Sequence, residues 1–252
     1  ELKGGEESQP QILKTTHLIW ATGARPAELP ALPFDGTRVI SSDEALRLEK
    51  TPTSLAIVGA GAIGLEMGSI WARLGTKVTI VEALPQIGAG FDPDIASMAE
   101  RFLKRQEGIT FYTDARVKAM DETALIAEQK GKDLRIDAEK ILISVGRVPN
   151  NEPLIKIGAK ADEKGRLEVD EAYRTNLPGV YAIGDAIPGP ALAHRAEHDA
   201  ERLAAMLAKK PVPPANAPMP GVVYTTPELA MVGLSEAQAQ AQGVDFSAAK
   251  FP

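Results

Sequence analysis

The sequence predicts an α/β fold with more than one domain, and three observations in one stretch predict it. A short apolar run, residues 55–58, is followed at once by Gly59-Ala60-Gly61, where no side chain exceeds a methyl. From Ala62 apolar residues recur three and four apart (Ile63, Met67, Ile70, Trp71, Leu74) until Gly75 interrupts them. A second apolar run, residues 77–81, follows directly and ends in an acid, Glu82. Short apolar runs are what strands covered on both faces of a parallel sheet require, and the intervening spacing is helical. At 252 residues the chain can bury a sizeable core and exceed one domain.

The other elements are read in chain order. Residues 16–21 predict a strand ending at Thr22-Gly23, and residues 25–34 carry three prolines and predict a loop or linker. Asp92-Pro93 predicts a helix start, an N-cap acid with proline in the first turn; Ile95, Met98, Ala99, Phe102 and Leu103 make its apolar face and Gly108 its stop. Short alternating strands are expected over 109–136, and residues 140–145 predict another buried strand, ending at Gly146-Arg147-Val148-Pro149. Residues 166–170 and 179–183 predict strands, the second ending in Gly184-Asp185. An alanine-rich helix is expected over 194–207, a boundary in the five prolines of 211–220, an extended segment over 222–226, and helical spacing over 235–242. No internal repeat is present.

Composition excludes several classes. Charged residues are 25% and the hydrophobic set 44%, an ordinary globular balance. A formal charge of −6 argues against a nucleic-acid surface or an anionic membrane. The sequence has neither a signal peptide nor an apolar span of about 18 residues, so a cytoplasmic protein off the membrane is expected. Cysteine is absent, which removes disulfides, thiolate nucleophiles and cysteine metal sites from this chain. Glu1 stands where a methionine would begin a chain, and Lys250-Phe251-Pro252 is an apolar finish, so the sequence is read as an internal fragment.

In the setting of strand, glycine turn, helix and strand, Gly59, Gly61 and Gly64 form the G-x-G-x-x-G spacing of dinucleotide binding. Gly59 serves the tight turn, Gly61 the approach of a pyrophosphate, and Gly64 the close packing of helix on strand. The helix N-terminus offers free N–H groups and a positive dipole end. Glu82 ends the second strand, where a carboxylate accepts hydrogen bonds from the adenosine ribose hydroxyls. A 2′-phosphate there meets a like charge, and Ala83-Leu84-Pro85-Gln86 supplies no arginine, so NAD is expected over NADP.

Seven stretches resemble one family in order along the chain: LIWATGARP (18–26), ISSDEAL (40–46), VGAGAIGLEMGSIWARLGTKVTIVE (58–82), SVGRVPN (144–150), VYAIGDA (180–186), LAHRAEHDA (192–200) and VVYTTPELAMVGLSE (222–236). The family is the FAD- and NAD-dependent disulfide oxidoreductases, and within it the dihydrolipoamide dehydrogenase branch. The resemblance implies a Rossmann-like NAD-binding domain inserted in part of an FAD-binding domain, followed by the start of an α+β dimer-interface domain. The implied spans are 1–47 for the end of the first FAD segment and a linker, 48–147 for the NAD domain, 148–213 for the second FAD segment and 214–252 for dimerisation. By position, Gly59, Ala60, Gly61, Ala62, Ile63, Gly64, Leu65, Glu66, Glu82, Val117 and Gly146 match NAD contacts. Ala21, Thr22, Gly23, Asp185, Ala191, Leu192, Ala193 and His194 match FAD contacts, and Asp185 has a chemical reason as a carboxylate able to accept ribityl or ribose hydroxyls.

The implied activity is oxidation of a protein-bound dihydrolipoyl group, with electrons passing through a disulfide and FAD to NAD. The implied partners are the lipoyl domain of a 2-oxo acid dehydrogenase complex and a second copy in a homodimer. A mercuric or glutathione reductase-like activity is the alternative, as is a non-catalytic NAD-binding module for the chain as given. The family's first glycine fingerprint, its redox cysteine pair and its His-Glu dyad are absent here, so no catalytic residue is expected in this chain and the fragment alone is expected to be inactive. One rival motif, HRAEH at 194–198, fits the H-x-x-E-H spacing of a zinc peptidase. The family's L-A-H already accounts for His194, so no metal is expected there.

Overall fold

The computed structural model describes residues 12–251. Its elements run β1 (Leu18–Trp20), β2 (Ala24–Pro26), β3 (Val39–Ile40), α1 (Ser42–Ala45), β4 (Ser54–Val58), α2 (Ala62–Arg73), β5 (Lys77–Val81), α3 (Pro93–Glu107) and β6 (Thr110–Tyr112). Then follow β7 (Ala115–Met120), β8 (Ala124–Gln129), β9 (Lys132–Asp137), β10 (Lys140–Ile143), β11 (Arg147–Pro149), α4 (Glu152–Lys156) and β12 (Val180–Ala182). A 3-10 turn, Gly184–Ala186, leads to α5 (Ala193–Leu207), β13 (Gly221–Val223), β14 (Leu229–Met231) and α6 (Glu236–Ala241). The chain divides into two compact units. One comprises the described residues through Arg25 with Val148–Ala217, the other Pro26–Arg147 with the residues from Pro218 onward.

The larger unit is built on a five-stranded sheet in the order β3-β10-β4-β5-β6, with every pairing parallel. Both faces are covered, which explains why its strands read as continuous apolar runs. Leu55 and Ile57 turn to one side with Val78, Ile80 and Leu142, against Leu65, Met67 and Trp71 of α2 and Leu103 of α3. Ala56 and Val58 turn to the other with Val81, Ile141 and Ile143, against Leu125, Ala127 and Ile136 of the antiparallel meander β7-β8-β9. The two-residue period of a strand sorts the side chains between the cores.

The smaller unit pairs β1 with β12 in parallel, Ile19 opposite Tyr181. Its core gathers Leu154, Leu167, Tyr173, Ile183 and Leu203. Asn151, 1% exposed, accepts from the Trp20 indole N–H at 2.9 Å and donates to the carbonyls of Gly165 at 2.9 Å and Ala186 at 2.8 Å. One side chain thereby ties together polar groups from three segments, the Ala186 carbonyl also receiving the Leu167 N–H at 2.9 Å.

Three expectations need correction. Residues 25 and 26, expected to open the proline-bearing loop 25–34, belong to β2, which pairs with β11; Pro26 ends a strand of a two-stranded sheet, an edge position where proline is tolerated. Residues 166–170 form no strand. Leu167 is fully buried and makes a single bridge to Ala161, and the alternating burial reflects that contact without a neighbouring strand to extend it. On α3 the buried residues are Ala96, Ala99 and Leu103, whereas Ile95, Met98 and Phe102 are 42%, 44% and 38% exposed. The small alanines permit a close approach to the sheet, which turns the larger side chains outward. Asp92 does stand at the N-cap of α3, but its carboxylate accepts from the Glu236 N–H at 3.0 Å and leaves the α3 amides uncapped.

Candidate functional site

The first cluster lies at the carboxyl ends of β4, β5 and β10. Gly59, with φ +104°, leaves β4 in a conformation that costs a side chain dearly, and its N–H donates to the Val81 carbonyl at 2.8 Å. A Cβ on Gly59 would lie 2.6 Å from the Ser144 carbonyl oxygen, and one on Gly64 would lie 2.0 Å from the Gly59 carbonyl oxygen. Ser144, which the sequence reading passed over, locks this contact by donating its hydroxyl to the carbonyls of Val58 at 3.0 Å and Gly59 at 3.1 Å. Gly61 differs: a Cβ there meets nothing within 4 Å. It is the N-cap of α2 and no side chain caps the helix, so the first-turn N–H groups of Ala62 and Ile63 have no side-chain acceptor. A phosphate oxygen fits such a cradle by the chemistry of its donors.

Glu82 is drawn into the same turn. Its carboxylate accepts from the Ala60 N–H at 2.6 Å and from the Leu84 N–H at 2.8 Å. The carboxylate therefore sits beside the glycine turn with its orientation set by two backbone donors. Leu65 is buried in the core beneath α2. Glu66, one residue on, accepts from the Tyr224 N–H at 3.0 Å, a partner drawn from the segment after β13. Val117 packs at the margin of the second core, beside a bulge in β7. Gly146 follows the end of β10 at φ +137°, its carbonyl bonded to the Ala27 N–H at 3.0 Å.

The second cluster belongs to the smaller unit and lies at the carboxyl ends of the parallel pair β1 and β12. Ala21, Thr22 and Gly23 follow β1; the Thr22 hydroxyl donates to the Asn150 carbonyl at 3.1 Å, and Asn150 returns bonds to Thr22 and Gly23 at 3.0 Å each. Gly184 and Asp185 follow β12 in the 3-10 turn. Ala191 precedes Leu192, the N-cap of α5, and Ala193 and His194 open that helix with no side-chain cap on its amides. Gly184 stands at φ +65°, a conformation that favours glycine, and a Cβ there would meet the Ala196 methyl closely, at 3.1 Å. The carboxyl ends of two adjacent parallel strands, an acid and an uncapped helix start thus occur together, a donor and acceptor set suited to a phosphorylated, polyhydroxylated ligand.

Beneath that turn lies a buried polar chain that the sequence reading missed. Asp199 is 5% exposed and accepts from the Tyr173 hydroxyl at 3.0 Å and the Gly184 N–H at 3.1 Å, while the Arg195 Nε stands 3.2 Å away. Arg202 donates through Nε to the Tyr173 hydroxyl at 3.2 Å and also reaches the Pro213 carbonyl. Burial pushes the Tyr173 hydroxyl above the ordinary tyrosine range, which keeps it a neutral donor. In the HRAEH stretch the His198 Nε2 lies 2.9 Å from the Pro214 carbonyl. Among the described residues no group of three or more His, Asp or Glu converges as a metal set would.

Comparison with known proteins places the chain in a family. The pyridine nucleotide-disulphide oxidoreductase model matches residues 1–200, and the dimerisation-domain model of the same group matches residues 219–252. The chain belongs to the pyridine nucleotide-disulphide oxidoreductase family. It is 41% identical to the mitochondrial dihydrolipoyl dehydrogenase of Pisum sativum and 40% identical to the dihydrolipoyl dehydrogenase of Geobacillus stearothermophilus, covering 98% of this chain and 50% and 53% of theirs. A leghemoglobin reductase of Glycine max is 41% identical, with 48% of its length covered. The chain thus spans about half the length of the curated relatives it matches. Among solved structures, the HOCl-induced flavoprotein disulfide reductase RclA of Escherichia coli superposes with a TM-score of 0.77 at 28% identity, covering 90% of this chain and 53% of that one. LpdA of Mycobacterium tuberculosis gives the same score and identity over 90% and 50%.

Proposed function

We propose that the chain carries the NAD site and part of the FAD site of a dihydrolipoyl dehydrogenase, with 48–147 as the NAD domain, 1–47 and 148–213 as FAD segments, and 214–252 as the start of the dimerisation domain. In the intact protein, electrons from protein-bound dihydrolipoyl groups pass through a disulfide and FAD to NAD. The partners are the lipoyl domain of a 2-oxo acid dehydrogenase complex and a second copy of the chain, in the cytoplasm. The bound flavin and nicotinamide supply the hydride chemistry. Among the described residues no helix is long and apolar enough to cross a membrane, and the absence of cysteine means that the thiols of the reaction are not supplied by these 252 residues.

The residues of this chain bind and orient. Gly59 and Gly64 hold α2 against the turn, Gly61 leaves the cradle open, and the Ala62 and Ile63 amides receive the pyrophosphate. The observation that carries the reading is Glu82, held by the Ala60 and Leu84 amides with carboxylate lone pairs left for the adenosine ribose. Charge-assisted hydrogen bonds of this kind contribute roughly 1.5–3 kcal/mol. Titration at fixed ionic strength should show NADH bound more tightly than NADPH, with Glu82→Ala costing NADH about ten-fold and narrowing the gap. Glu66→Gln should leave the ratio unchanged. Equal affinities in the unmodified chain, or a ratio that Glu82→Ala does not move, would remove the reading.

A further inference from the structure

We infer that the Arg195–Asp199 pair positions the flavin, by holding both backbone polar groups of Gly184 and so setting the direction of the adjoining Asp185. The inference rests on the reading of Asp185 and of Ala191, Leu192, Ala193 and His194 as flavin contacts. An Arg and an Asp four residues apart on a helix ordinarily form a solvated surface pair of little consequence. Here the side chains are only 12% and 7% exposed, and they face the 3-10 turn.

Every nitrogen of the guanidinium and both carboxylate oxygens have a partner. Asp199 Oδ2 receives the Gly184 N–H at 3.1 Å, and Arg195 NH1 donates to the Gly184 carbonyl at 3.3 Å. The remaining fork, NH2, donates to the Pro188 carbonyl at 2.9 Å. The guanidinium fills the space above Gly189, where a Cβ would lie 2.7 Å from its Cζ. Asp199 Oδ1 is held in turn by Tyr173, and Tyr173 by Arg202. Glycine takes the left-handed region without strain, so its neighbours set the direction of the turn: the pair holds the peptide units on both sides of the Gly184 Cα, the N–H of one and the carbonyl of the next, and the Ile187 N–H shares that carbonyl at 3.1 Å. The same helix presents Ala193 and His194 at its start, so one rigid element registers two of the segments assigned to the flavin.

Buried ion pairs are poor sources of stability, because desolvation offsets their attraction, and apolar replacements are often neutral. Orientation is the better account. A planar guanidinium with several donors in fixed geometry suits it, and lysine does not reproduce that fork.

The test uses the flavin-loaded protein and the variants Asp199→Asn, Arg195→Lys and Asp185→Ala, read by flavin affinity after reconstitution, the visible circular dichroism of the bound flavin, NADH affinity and thermal denaturation. Asp199→Asn and Arg195→Lys should each weaken flavin binding about ten-fold and alter the visible dichroism at saturation, with NADH affinity unchanged. Should Asp199→Asn fail to fold, Arg195→Lys decides alone. Both variants binding flavin within two-fold of the unmodified protein, while Asp185→Ala binds weakly, would overturn the clamp and leave the flavin site standing. Weaker binding with an unaltered dichroism at saturation would reduce the pair to a structural tie and equally overturn it. An Asp185→Ala protein that binds flavin normally would remove the flavin reading itself, and the clamp with it.

Discussion

Two turns in this molecule, 59–61 after β4 and 184–186 after β12, are built alike and held by opposite means. Each follows the carboxyl end of a parallel strand, each uses a glycine at positive φ, and each leads to a helix whose first amides lack a side-chain cap. The first is shaped by exclusion: Gly59 and Gly64 leave no room for a Cβ, and backbone packs on backbone. The second is shaped by attachment, with a buried charged pair from α5 gripping the turn. Steric definition costs no desolvation and shows itself as glycines at fixed spacing. Electrostatic definition uses residues that look ordinary until they are seen to be buried.

The comparison can be broken at four points. The largest effect is expected from Gly64→Ala, whose methyl would fall 2.0 Å from a backbone oxygen; neither atom can retreat without moving α2. Overpacking against backbone should cost about 3 kcal/mol or more, read as a fall in melting temperature together with loss of NADH binding. Asn151→Ala tests the attached turn from its other side. It leaves the Trp20 indole N–H and the Gly165 carbonyl without their partner, while the Ala186 carbonyl keeps the Leu167 N–H at 2.9 Å, and a loss of about 2 kcal/mol in denaturant unfolding is expected. A loss below about 1 kcal/mol would mean that water takes over those bonds.

Gly61→Ala separates binding from folding. Its φ of −75° suits alanine and no atom lies within 4 Å of the added methyl, so thermal stability should change by less than about 1 kcal/mol. The methyl enters the space assigned to the pyrophosphate, and NADH affinity should fall about ten-fold, measured by fluorescence titration. The smallest effect concerns Glu44, whose side chain receives the Ser41 hydroxyl at 2.6 Å and the Ser41 N–H at 2.8 Å in a capping box at α1. The Ser41 hydroxyl bond, then its amide bond, holds the carboxyl below its ordinary value near 4.5. A carboxyl whose pKa is lower in the folded than in the unfolded state contributes stability that is present above the unfolded value and lost as pH falls through the folded one. Glu44→Gln should therefore cost under about 1 kcal/mol at neutral pH, and the difference should shrink in melts as pH falls below the ordinary carboxylate value and through the lowered folded one.

The parallel sheet was legible because β4, β5 and β10 are apolar on both faces, and the glycine turn because its spacing is steric. Ser41-x-x-Glu44 was an available signal for α1 that went unread. Residues 166–170 misled because alternation records burial of Leu167 and Val169 without telling whether a partner strand exists. The face of α3 misled because periodicity marks Ile95, Met98 and Phe102 as apolar without telling which side the sheet takes. Ser144 and Asn151 carry no local pattern; each acts through groups distant in the chain.

The amino-acid sequence by itself determined the parallel α/β unit, the glycine turn proposed to receive a dinucleotide and the acid beside it, since glycine spacing, strand period and a terminal carboxylate are local properties. Tertiary structure alone decided that Arg195 and Asp199 face inward, that Tyr173 and Asn151 join segments far apart, and that Glu82 is aimed by the Ala60 and Leu84 amides. Burial and hydrogen-bond partnership are relations between distant residues, and the same i, i+4 charge pair lies in solvent or in a core according to what packs above it.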